Sequence, residues 1–159
     1  MIKMYTVILA IISAGVCSTL VSAQETKLLS MSQTPEFHDF EAVVHRGNIA
    51  RPRLTRDPEI QNFRTRIVAA SGKAPNFAGH YHLVIWGCGA GCRMGAVIDV
   101  KSGQVTMLPY AVAGSFDFRK NSRLLVMNGS RNESEEDNES DQHFYEMSGT
   151  KLLYLGTRR

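Results

Sequence analysis

Two histidines, two cysteines and the only tryptophan of the chain fall within seventeen residues, from Asn76 to Cys92. Cys88 and Cys92 stand three residues apart with Gly89, Ala90 and Gly91 between them, so the chain can fold back there without a Cβ penalty. Three chemistries suit that spacing. A close, even pair in an exported chain reads as a disulfide, which here would fix a turn. A thiolate beside an imidazole is a nucleophile pattern, although nothing nearby orients the ring. His80-x-His82 followed by Cys88-x3-Cys92 also offers four ligands of the kind that zinc or copper takes. If the cysteines are oxidised, only two ligands remain, and His80 and His82 read as hydrogen-bonded structural residues. The run Gly87-Cys88-Gly89-Ala90-Gly91 lacks the lysine and following helix of a phosphate cradle. His80, His82, Trp86, Gly89, Ala90 and Gly91 are the candidate binding surface. No catalytic residue can be assigned, and no cofactor is expected.

These residues need a strand to position them. Alternation from His80 to Trp86 places His80, His82, Val84 and Trp86 on one face and Tyr81, Leu83 and Ile85 on the other. Further strands are expected at Gly95–Val100 and Gln104–Leu108, joined as a hairpin across Lys101-Ser102-Gly103. Ser122–Asn128, Gln142–Met147 and Lys151–Leu155 follow, the last two turning through Ser148-Gly149. An earlier strand is expected at Phe37–His45. One helix is expected from Asp57-Pro58-Glu59, where Asp57 can cap and Pro58 suits the first turn. Its apolar stripe is Ile60, Phe63, Ile67 and Val68, and Gly72 is its stop. Short strands with close turns predict an α+β fold. It is mainly an antiparallel β meander, as one curved sheet or partial barrel, with one packed helix.

The chain has 159 residues, 43% hydrophobic and 21% charged, with a formal net charge of +3. That excludes a multidomain enzyme and a polybasic binder, so no nucleic-acid partner is expected. Residues 1–23 read as a signal peptide: Lys3, then the apolar run Val7–Val16, then Val21-Ser22-Ala23 before Gln24. No stable membrane insertion is expected after cleavage. Residues 24–35 form a polar lead-in, and residues 36–159 a single globular domain. Residues 124–159 carry seven acids against four bases, whereas residues 24–123 carry eight against thirteen. The excess of acid lies in the loop 128–142, which reads as solvated and mobile. Asp137, Glu139 and Asp141 alternate as calcium ligands do. However, Gln142 and Ser148 stand where an EF-hand loop needs glycine and glutamate. The series Arg46, Arg51, Arg53, Arg56, Arg64 and Arg66 reads as a solvated face.

The run Asn76-Phe77-Ala78-Gly79-His80-Tyr81, then Trp86-Gly87-Cys88-Gly89 with Cys92, resembles a family of small exported bacterial proteins of unknown function. Ile98-Asp99-x-Lys101-x-Gly103, Pro52-x-Leu54-Thr55, Phe63-Arg64-Thr65 and Tyr145-Glu146 before Gly149 look similar too. The resemblance implies export to a bacterial periplasm and carries no activity. The resulting expectation is a non-enzymatic periplasmic binding or interaction module, an inhibitor or accessory protein, presenting a disulfide-stapled turn. Its partner would be a periplasmic or extracellular protein or a small ligand. The alternative is a metal-binding protein or Cys/His-dependent enzyme centred on His80, His82, Cys88 and Cys92.

Overall fold

Both faces of the central strands are apolar, and that decides the architecture. The computed structural model describes residues 33–131 and 138–159. The expected leader, most of the expected polar lead-in and residues 132–137 of the acidic loop lie outside the described residues. Strands β1 (Tyr81–Gly89), β2 (Cys92–Asp99) and β3 (Val105–Met107) form one antiparallel sheet in that order. Strands β4 (Phe116–Phe118), β5 (Leu124–Asn128), β6 (Gln142–Ser148) and β7 (Lys151–Arg158) form a second, also in sequence order.

Tyr81, Leu83 and Val97 from the first sheet meet Leu125, Met127, Tyr145 and Met147 from the second in the largest buried cluster. The opposite face of the first sheet carries Trp86, Ala96 and Ile98. It is covered by Ile60 and Ile67 of two short helices, α1 (Pro58–Asn62) and α2 (Arg64–Ala69). The outer face of the second sheet, with Leu124, Val126 and Phe144, is covered by Phe37 and Phe40. Four layers result. A strand covered on both sides reads as an unbroken apolar run, as Leu124-Leu125-Val126-Met127 does.

The mostly-β α+β class is therefore as expected, but the single curved sheet is not: two sheets stack, and among the described residues no closed barrel forms. One curved sheet would leave half of these apolar faces without cover. The sheets are linked by Val112, fully buried, which pairs with Arg93 on one side and Arg131 on the other.

Phe37–His45 is not a strand. Phe37–Phe40 is a 3-10 turn, followed by a single bridge from Glu41 to Ser122. Phe37 and Phe40 are three residues apart, so one turn of 3-10 helix puts both on the same sheet face. A strand would have opposed them. The segment is secured by Ser122 Oγ donating to the Phe37 carbonyl at 2.7 Å and by Arg123 N–H donating to Phe40 at 2.7 Å.

The expected single helix is divided at Phe63, which ends α1 and begins α2 with φ −104° and ψ 13°. Asp57 does cap, with Oδ1 accepting from the N–H of Glu59 at 2.8 Å. Ile60 and Ile67 are buried, Phe63 is half-buried, and Val68 faces solvent at 49% exposure. Strand β4 has only three residues, Phe-Asp-Phe, and sequence periodicity missed it.

The acidic loop is tied down at both ends. Ala113 N–H donates to Ser130 and Arg131 pairs with Val112, while Asp141 is fully buried and accepts from the N–H of Asn138 at 3.1 Å. Asp141 is thus a folded residue, not part of a freely solvated stretch.

Candidate functional site

The site lies where the β1–β2 hairpin meets the connection between β3 and β4. The two strands pair from Tyr81↔Asp99 to Gly87↔Arg93, slip between Gly87 and Gly89, and close with Gly89 opposite Cys92. A disulfide joins Cys88 to Cys92 across that irregular tip, with Cα atoms 5.1 Å apart. Gly91, with φ +69°, supplies the left-handed residue that reverses the chain between them.

Facing the tip is the turn Ala113-Gly114-Ser115. The bridge at Val112 brings it beside β2, and Asn128 fixes its far end. The N–H of Asn128 donates to the Ser115 carbonyl at 2.8 Å, and its Nδ2 donates to Ser115 Oγ at 3.1 Å and to Asp117 Oδ2 at 2.8 Å. Gly114 is pressed so closely on the Asn128 carbonyl that a Cβ would collide with it.

Between tip and turn is an open cavity of about 710 Å3. Ile85, Trp86, Gly87, Gly89, Gly91, Cys92 and Arg93 line it from the hairpin, and Ala113, Gly114 and Ser115 from the turn. The wall is mostly backbone and small side chains. Arg93 supplies the one full charge of the lining; it is exposed and has no ion pair among the described residues. A cavity of this size, walled by peptide groups and one guanidinium, suits an extended or anionic ligand.

Of the residues singled out in the sequence, Trp86, Gly89 and Gly91 do line this cavity, with the disulfide behind them. Ala90 is exposed at the tip but is not in the lining. His80 and His82 stand elsewhere. Six residue steps along the strand separate His82 from Cys88, roughly 20 Å at about 3.3 Å per step. His82 Nδ1 donates to the Ala74 carbonyl at 2.8 Å. His80 stacks on the Tyr81 ring at 4.2 Å and lies 3.9 Å from Asp99 Oδ1. Burial lowers the His80 imidazole below the usual histidine range, and Lys101 adds to this against the pull of Asp99. Burial would raise Asp99, but hydrogen bonds from the Ser102 hydroxyl and the Lys101 N–H outweigh it and hold the carboxyl low. The two histidines and two cysteines therefore do not converge. Both sulfurs are bonded to each other, and among the described residues no three His, Cys, Asp or Glu side chains gather as metal ligands would.

Trp86 is 6% exposed, its ring 5.0 Å from that of Phe63, and its Nε1 has no hydrogen-bond partner among the described residues. It is mainly a core residue whose edge reaches the cavity. The lining residues that sequence reasoning missed are Ile85, Gly87, Arg93 and Ala113-Gly114-Ser115. Arg93 follows Cys92 directly, yet a lone arginine carries no signal of its own. The turn carries none beyond small side chains.

A second polar cluster lies within the four-stranded sheet. His143, fully buried, contacts Thr157 Oγ1 through Nδ1 at 2.7 Å and the Gly129 carbonyl through Nε2 at 3.1 Å. The carbonyl only accepts, so Nε2 bears the hydrogen. Thr157 in turn contacts the Tyr154 hydroxyl at 2.6 Å. The chain of contacts spans the register shift between β6 and β7 and closes the sheet across it. Comparison with protein-family models, with curated proteins and with solved structures found no match.

Proposed function

We propose that this chain is an exported, non-enzymatic binding module that takes its ligand in the cavity between the stapled hairpin tip and the Ala113-Gly114-Ser115 turn. The observation that carries the reading is the Arg93 guanidinium, without an ion pair among the described residues, on a wall of backbone and glycine. Both walls are rigid: a disulfide closes one, and the Asn128 hydrogen bonds fix the other. A preformed cleft loses little freedom when it binds, which favours affinity. Among the described residues the lining holds no imidazole or carboxylate, so a bound molecule would meet backbone peptide groups and a positive charge. Ligands of this kind include a periplasmic or extracellular protein segment, as an inhibitor or accessory protein would recognise, and a small anion.

The test is comparative capture from an extract of the producing cells, with wild type and Arg93→Glu immobilised side by side. A partner retained by the wild type and lost with Arg93→Glu supports the reading. Equal retention by both, or no retention by either, sinks it. Thiol counting and metal analysis of the same protein address the alternative: two titratable thiols with bound zinc or copper would move the function to His80, His82 and the cysteines.

A further inference from the structure

The outer edge of β1 is paired along half its length and open along the rest. Tyr81 exchanges both backbone hydrogen bonds with Phe77. Leu83 is next, and the Asn76 carboxamide serves it as a peptide unit would. Asn76 Nδ2 donates to the Leu83 carbonyl at 2.9 Å, and the Leu83 N–H donates to Asn76 Oδ1 at 2.7 Å. In an antiparallel strand alternate residues point the same way, so Ile85 and Gly87 turn their N–H and C=O outward like Leu83. Their partners across the ladder agree: Gly95 and Arg93 direct their own backbone groups away from β1, to Leu108 and Val112. Among the described residues, nothing bonds the outward groups of Ile85 and Gly87. Ile85 is half-buried, Gly87 is exposed, and both line the cavity.

We infer that the occupant of this site is an extended acidic peptide segment of a partner protein, which adds as a strand to the β1 edge at Ile85 and Gly87. The inference rests on the binding-module reading and specifies its ligand. Four backbone groups at strand spacing are offered where Asn76 leaves off, and they are of the kind that pairs with an added strand. Charge supplies the choice of partner. Arg93 lies opposite Gly87 and on the same face of the sheet. Over Gly87 the space is open: the nearest atom to a Cβ placed there is the Cys92 carbonyl oxygen at 3.9 Å. An added strand would run about 10 Å from the Arg93 backbone, two strand spacings away. The long Arg93 side chain can reach across the bare glycine toward a carboxylate on that strand.

The probe is a short fluorescein-labelled peptide alternating threonine and valine about a central glutamate, titrated into the full chain. Two companions carry a central lysine or N-methylated central peptide bonds. The glutamate peptide should bind about tenfold tighter than either companion. Backbone amide exchange at Ile85 and Gly87 should slow on binding. Arg93→Gln should bring the glutamate and lysine peptides to similar affinity while the N-methyl loss remains. Equal binding of the N-methylated peptide, absence of binding, or unchanged exchange at Ile85 and Gly87 overturns strand addition. In that event a partner still lost with Arg93→Glu leaves the binding-module reading intact, and capture of nothing removes both. Slowed exchange at these two amides that rises with protein concentration alone would assign the edge to a second copy and overturn the proposal.

Discussion

Gly79 has φ +82°, and a Cβ built there would lie 2.5 Å from the Val43 carbonyl oxygen. Its neighbour Ala78 is the one described non-glycine residue with positive φ, at 46°. Both belong to the turn that returns Phe77 to Tyr81, and the Gly79 N–H donates to Lys120 at 2.7 Å. Gly79→Ala should therefore cost about 2 kcal/mol or more, read by chemical denaturation, because backbone must move as well as strain. Next to it, His80 provides a pH signature. Its folded pKa is lowered, so the unfolded chain binds the proton more readily. Stability is unaffected well above the usual histidine pKa and falls as pH drops below it. His80→Gln should accordingly lose less melting temperature than wild type between about pH 7.5 and pH 5. Equal losses would show that the ring is hydrated like a free one.

At the scale of elements, the hairpin tip behaves as one unit. Cys88→Ser, Cys92→Ser and the double substitution should each lower stability by about 2 kcal/mol, because all three remove the same cross-link. Thermal melts with and without reductant check this, and two single variants that differ sharply would contradict it. The hairpin was also the most legible part of the chain. Alternation located β1, and the paired glycines located the tip. The Lys101-Ser102-Gly103 turn located β3. Phe37–Phe40 was misread because two aromatic residues at spacing three suit a 3-10 turn and an irregular strand alike, and only the sheet beneath distinguishes them. Half of the cavity was unreadable for a different reason. Ala113-Gly114-Ser115 reaches Arg93 through one bridge at Val112, and a contact between residues far apart in sequence leaves no periodic trace.

Across the whole molecule, a bacterial host that exports the chain should trim it to Gln24, which N-terminal sequencing of the exported protein would read. Retention of Met1 in exported material would contradict the leader. The outermost layer gives a second expectation. Phe37 is held by Arg119, 4.3 Å above its ring, and by the Ser122 hydroxyl. Ser122→Ala should loosen this layer by about 1 kcal/mol and expose residues 37–42 to protease before the rest of the fold. That layer also has a place in time. Residues 37–42 leave the ribosome early, yet the groups that hold Phe37 and Phe40 lie between residues 119 and 155. A chain paused in synthesis before Ser122 has no surface on which these two rings can settle. The first described segment to be made is among the last to be placed, and during that interval Phe37 and Phe40 are open to any chaperone that recognises aromatic side chains.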